Sequence, residues 1–271
     1  MNVKLTSLLL VLLAAVSARA LDDVKGRITL VDDRELTGLI TWKPVARQYS
    51  ISIQAAGGAT TTQSIPVDKV KSIRVVKPEG WDALEAEIRG GKATAATLPK
   101  LQKIMDDYTM LQYDALAARY ILELHLRANR PEEAMKIADK LIQGDPRAAS
   151  TSEAAPSIWK AMIATGKTTR LERYLDEAVR GGSRVVSAKA LVARGDLLAK
   201  NGDMKAALKN GYLRVVCLYG DIPEVQPEAL YKAGDAFEKA GQVSYAEKMR
   251  QRLLQNPRYQ NSSWARKLRG N

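Results

Sequence analysis

The chain has 271 residues, 46% of them hydrophobic and 27% charged, a balance that fits a packed protein and excludes a disordered or collagen-like one. One cysteine and one histidine exclude an internal disulfide and any metal cluster built from those two residue types. A formal charge of +12 favours anionic partners.

Residues 1–20 carry Lys4, an apolar run from Leu8 to Val16 and the small-x-small ending Ala18-Arg19-Ala20. That is the pattern of a secretory signal peptide. The run is too short for a spanning helix, which needs about 20 apolar residues, so the expected mature chain begins near Leu21 as a soluble periplasmic or exported protein. Cys217, the only cysteine, lies far from the cut, so no lipid anchor is expected there. Loss of Lys4 and Arg19 with the signal lowers the net charge from +12 to +10. Outside the cytoplasm, anionic lipid, acidic glycan or wall polymer is a readier partner for such a chain than nucleic acid.

Residues 21–77 read as a small β domain. Ile28 to Val31, Leu36 to Trp42, Tyr49 to Ile53, Ser64 to Pro66 and Val70 to Val76 carry period-two or β-rich patterns. Turn signals at Asp32-Asp33 and Gly57-Gly58 separate them. Five short strands in so few residues predict a closed barrel, because a flat sheet of that size leaves its edges bare. Gly26-x-Ile28-x-Leu30, Asp33-Arg34-Glu35-Leu36-x-Gly38 and Ile65-Pro66-x-x-x-Val70-x-x-Ile73 resemble an Sm-like small β-barrel. The RNA-binding residues of true Sm proteins have no counterpart here, so the resemblance implies an adaptor or a homo-oligomer contact and no nucleic-acid binding.

Lys77-Pro78-Glu79-Gly80 breaks the β pattern, and residues 78–271 read as helical. Trp81, Leu84 and Ile88 share one face of a short helix, and Leu98, Leu101, Ile104 and Met105 share another after Thr97 as its cap; the two are expected to pack as a first pair. Further on, Arg194-Gly195-Asp196-Leu197-Leu198 with Gly202 is echoed by Ala233-Gly234-Asp235-Ala236-Phe237 with Gly241. Turns at Asn129, Gly166, Gly202 and Gly241 are spaced 37, 36 and 39 residues. Ala134 and Pro146, then Gly195 and Ala207, then Ala229-Leu230, Gly234, Phe237, Ala246 and Pro257 make residues 110–270 resemble tetratricopeptide repeats; the unit with Trp159, Gly166 and Tyr174 departs most. The ending Asn256-Pro257-Arg258-Tyr259 before Ser262-Ser263-Trp264-Ala265-Arg266-Lys267 is similar to exported bacterial tetratricopeptide proteins. The fold class expected is therefore α+β, a five-stranded barrel followed by an all-α repeat array.

No catalytic residue, cofactor or metal ligand is expected. His125 falls on a helix among leucines, and Cys217, inside Leu213 to Leu218, reads as a buried small hydrophobe. Gly166-Lys167-Thr168-Thr169 imitates the end of a phosphate loop, but Ala161 stands where the first glycine is required. The repeat resemblance implies that the first helix of each pair lines a concave groove, which places Arg119, Glu123, Lys160, Asp196, Tyr231 and Asp235 toward a ligand. Asp196 and Asp235 stand where a chaperone-type carboxylate clamp needs asparagine, so that clamp is not expected. The leading reading is a noncatalytic envelope scaffold that grips a partner protein or peptide. The alternative is a binder of cell-wall polymer or anionic membrane surface through the basic tail, Arg250, Arg252, Arg258, Arg266, Lys267 and Arg269.

Overall fold

A computed structural model describes residues 23–55, 57–94 and 96–270. The expected signal segment, 1–20, lies outside the described residues. The chain forms two compact units that divide at Ser72 and Ile73, within the last strand and a few residues ahead of the Lys77-Pro78 break.

The first unit is a sheet of β1 (Val24–Leu30), β2 (Glu35–Lys43), β3 (Gln48–Gln54), β4 (Thr60–Pro66) and β5 (Val70–Val75), in the order β4-β3-β2-β1-β5. β1 to β4 form an antiparallel meander, with Ile28 opposite Leu36, Trp42 opposite Tyr49 and Tyr49 opposite Ile65. Ile28, Leu30, Ile40, Trp42, Tyr49, Ile51 and Ile65 are buried. Asp33 takes the left-handed turn position between β1 and β2 at φ 65°, a conformation that aspartate tolerates better than most residues. At Gly38, a Cβ would sit 2.3 Å from the Ser52 carbonyl oxygen, so the close approach of β2 and β3 requires glycine.

The expected barrel is not closed by hydrogen bonds: β4 and β5 are the two edges of the sheet. The sheet is nevertheless curled. Laid flat, its edges would stand about 19 Å apart, yet β4 is joined to β5 by a single 3-10 turn, Val67–Lys69, rising about 2 Å per residue. The Val67 N–H donating to the Arg47 carbonyl at 3.3 Å holds that corner. Much of β4 is polar and exposed, which suits an edge.

The second unit contains α1 (Trp81–Arg89), α2 (Thr97–Asp107), α3 (Tyr113–Arg127), α4 (Pro131–Gly144), α5 (Ala155–Thr165), α6 (Leu171–Gly181) and α7 (Arg184–Lys200). Then α8 (Met204–Ala207) runs through a π-helical segment, Leu208–Tyr212, into α9 (Leu213–Leu218), and α10 (Gln226–Lys239), α11 (Val243–Gln255) and α12 (Ser263–Arg269) follow. Among the described residues no helix is long and apolar enough to cross a membrane.

Asn129, Gly166, Gly202 and Gly241 all have positive φ and end α3, α5, α7 and α10. Each stops a helix with a left-handed residue so that the next can return. α3 packs on α4, α7 on the α8–α9 rod and α10 on α11, all neighbours joined by short turns and so antiparallel. Three core clusters follow chain order, α1 to α4, α3 to α7 and α7 to α12. Ile137 and Leu141 join the first to the second, and Val179 joins the second to the third.

Two sequence expectations fail at the start of this unit. α2 pairs with α3 rather than α1, although all three share the first core cluster. Thr97 is the first residue of its helix and not the cap; its buried hydroxyl accepts from the Thr94 N–H at 2.8 Å and donates to Glu87.

Candidate functional site

The candidate site lies where α7, the π-helical segment, α10 and α12 meet. Gly195 on α7 and Gly211 in the π-helical segment cross with no room for a side chain: a Cβ on Gly211 would lie 2.5 Å from the Gly195 Cα, and one on Gly195 2.4 Å from the Tyr212 ring. The π turn widens the helix by one residue and sets Tyr212 over Gly195. From there the Tyr212 hydroxyl donates to Asp196 at 2.9 Å.

Asp196 also accepts from Lys232 at 2.6 Å, and Lys232 donates to Glu228, one turn earlier on α10, at 2.7 Å. These three side chains are 17% to 21% exposed, so the network is largely out of water and its charges must satisfy one another. Burial pushes the Glu228 carboxyl up, but Lys232, with Lys160 on α5 and Lys189 on α7 behind it, holds it below the usual carboxylate range. Burial works likewise against the Lys232 charge, and Asp196 and Glu228 hold its pKa above the ordinary value. The Tyr212 hydroxyl is driven strongly upward, by burial first and then by the Asp196 charge, so it stays a donor.

Beside this network Tyr231 and Trp264 form a tilted pair with ring centroids 5.1 Å apart. Lys267 lies over both rings, 5.0 Å from Tyr231 and 5.4 Å from Trp264, and Lys232 is 5.5 Å from Trp264. A lysine over an aromatic face is attracted by the ring quadrupole. α12 is held in place by the Ser262 side chain, which accepts from the Ala265 N–H at 3.1 Å.

Of the six expected groove residues, Asp196 and Tyr231 belong to this site and Lys160 reaches it electrostatically. Asp235, one turn beyond Tyr231, pairs with Lys239 at 2.9 Å and adds to the negative field on Tyr212. Arg119 and Glu123 stand elsewhere on α3, where Arg119 reaches Glu153 at 3.3 Å and Glu123 pairs with both Arg119 and Arg127. Lys232, Glu228, Tyr212 and Trp264 were not predicted as site residues. The i, i+4 spacing of Glu228 and Lys232 was a legible signal, and so was the 36-residue separation of Asp196 from Lys232, one repeat length.

The basic tail is not one free cationic face. Arg250 pairs with Glu238, Arg266 donates to the Asn261 carbonyl at 2.8 Å and Arg269 to the Gln260 carbonyl at 3.0 Å. Lys267 is engaged by the rings, and Arg252 lines a cleft on another side of α10. The Arg258 backbone N–H closes a turn onto the Asn256 side chain at 2.9 Å.

Other sequence features fall into plain structural places. Arg194-Gly195-Asp196 is within α7, and Arg194 pairs with Glu172 and Asp176 of α6. Gly166 ends α5, and Lys167 after it reaches Asp139 at 4.0 Å. His125 has its pKa lowered by burial and then by Arg130, and its buried Nδ1 has no hydrogen-bond partner among the described residues. Cys217 is exposed, contrary to expectation, because Val215 and Val216 take the core-facing side of α9. Among the described residues no three His, Cys, Asp or Glu side chains gather as a metal site.

No protein-family model matches the chain, and none of the curated proteins matches its sequence.

Proposed function

We propose that the protein is a noncatalytic scaffold of the cell envelope whose helical unit grips a partner protein or peptide along the face built by α7, α10 and α12. The observation that carries this reading is the Asp196–Lys232–Glu228 network beside the Tyr231–Trp264 pair, a fixed polar row next to an aromatic surface. Aromatic side chains with a polar neighbour are the usual anchors of protein interfaces. Export follows from the reading of residues 1–20, and the tetratricopeptide-like repeat reading from the spacing of the four turns. The curled five-stranded sheet provides a second contact or a self-association surface.

Engagement of most of the tail cations inside the unit favours this groove over a reading in which the tail alone holds wall polymer or membrane. Pulldown from envelope extracts over a salt series separates the two. With the groove as the site, Tyr231→Ala with Trp264→Ala abolishes capture, and capture by the parent chain survives moderate ionic strength. Capture that vanishes at moderate salt and depends only on Arg266, Lys267 and Arg269 would sink the groove reading.

A further inference from the structure

A cleft of about 440 Å³ opens beside α10, lined by Gln226 and Leu230 of that helix and by Arg252, Gln255, Asn256 and Tyr259 from the end of α11 and the turn after it. The volume is within the range of about 300–1,000 Å³ typical of small-ligand sites. At about 100° per residue, Gln226 and Leu230 fall on the side of α10 away from Glu228, Tyr231 and Lys232, so the cleft is distinct from the groove.

Two side chains of the lining are almost wholly buried with hydrogen-bonding capacity to spare. Tyr259 is 6% exposed, and its hydroxyl has no partner among the described residues. Gln226 is 1% exposed; its Nε2 donates to the Val215 carbonyl at 2.8 Å, while its Oε1 receives no donor among the described residues. Neither oxygen is sealed from solvent, so both can bond to a ligand that enters the cleft. Arg252 is the one charged side chain of the lining, and it makes no ion pair among the described residues. The Asn256 Oδ1 accepts from the Arg258 N–H at 2.9 Å, which leaves its amide hydrogens free to donate.

We propose that this cleft binds the free carboxylate end of a peptide. A guanidinium takes a carboxylate through two parallel hydrogen bonds, a fit that lysine lacks. Carboxamides at Gln226, Gln255 and Asn256 match the donor and acceptor of the preceding peptide group, and Leu230 supplies an apolar wall for a small side chain. The inference does not depend on the groove, since no residue is shared.

The test is equilibrium binding to the full chain, by calorimetry or saturation-transfer NMR, of N-acetyl-trialanine as the free acid, the same peptide as its carboxyl amide, and glucuronate. The acid is expected to bind at least about tenfold more tightly than the amide, the scale of one charged hydrogen-bond pair. Arg252→Gln is expected to bring the acid down to the level of the amide, and Arg266→Gln to leave it unchanged. Tyr259→Phe, which keeps the packing, is expected to weaken the acid several-fold. Equal binding of acid and amide, or no binding of either, overturns the proposal on the unmutated chain, independent of any folding defect. Glucuronate binding as well as the acid overturns the peptide assignment.

Discussion

Two hairpins of the helical unit join their helices in opposite ways. α5 packs on α3, α4 and α7, and α6 on α7, while the backbones of α5 and α6 stay apart; Trp159 of α5 and Tyr174 of α6 are buried in the core that these helices share. In α7 against the π-helical segment, Gly195 and Gly211 stand at the crossing and the backbones nearly touch; in α10 against α11, Gly234 stands at a close but roomier crossing. Close backbones bring the polar row of α7 within hydrogen-bonding reach of the π-helical segment, which is how Asp196 meets Tyr212; Lys232 reaches Asp196 from α10 with its long side chain. Lys160 on α5 is exposed and acts on Glu228 through its charge alone. Acids follow the same division: burial pushes the lone Asp114 up to about 6, whereas Glu228, also buried, is held below its usual range by lysines.

The largest expected effect tests the bulky hairpin. Trp159 is fully buried and donates from Nε1 to the Ala149 carbonyl at 2.6 Å. Trp159→Ala leaves a cavity in the core shared by α3 to α7 and strands that carbonyl, at a cost of about 3–5 kcal/mol in denaturant unfolding. A cost below about 1 kcal/mol would mean that the surrounding helices close over the lost side chain.

Next comes the glycine crossing. Gly211→Ala places a methyl group against the Gly195 backbone, where neither chain segment can yield, and is expected to cost about 3 kcal/mol. Gly234→Ala is its control: the added Cβ meets Ala246, Met249 and Arg250 at 3.5 to 3.7 Å, an ordinary contact, and gains helix propensity. It should be neutral or stabilising by up to about 1 kcal/mol. Equal costs at the two positions would erase the distinction between a touching crossing and a merely close one.

Buried Asp114 gives an effect of about 3 kcal/mol read as a pH slope. Asp114 accepts from the Met110 N–H at 2.6 Å and the Ala115 N–H at 2.7 Å, but its burial dominates. Because the native state binds the Asp114 proton more tightly than the unfolded chain does, its contribution is full below pH about 4 and is lost as pH rises through about 6. Glu228 has the opposite sign: its contribution is present at neutral pH and lost as pH falls through its lowered native value. Asp114→Asn should therefore remove a decline of about 3 kcal/mol between pH about 4 and 7, measured by denaturant midpoints across that range. A decline that persists in the variant would place the titrating group elsewhere.

The sequence was most readable where one residue type answers one backbone demand. The positive φ at Asn129, Gly166, Gly202 and Gly241 marks four helix ends that glycine and asparagine signalled. β4 was half hidden, since only Ile65 of Thr60–Pro66 is buried and an exposed edge strand has no apolar alternation to read. Sheet closure was over-read, because strand count does not say which edges exchange hydrogen bonds. In the candidate site Asp196 and Tyr231 were named from the repeat, but the π turn that aims Tyr212 depends on how α7 crosses the next helix, which no local pattern encodes. Arg250 illustrates the same limit: Glu238, its partner, comes from the preceding helix of the hairpin.

The smallest effect probes how much the polar network itself contributes. Tyr212→Phe keeps the ring against Gly195 and deletes only the hydroxyl that donates to Asp196. Asp196 keeps Lys232 as its partner, so no carboxylate is left alone and the loss is that of one hydrogen bond to a charged acceptor, about 1–2 kcal/mol. Pairing it with Lys232→Met in a double-mutant cycle isolates the coupling, which is expected to be positive because both donors share Asp196. Zero coupling would mean that tyrosine and lysine act on Asp196 independently, and the close glycine crossing would then serve packing alone.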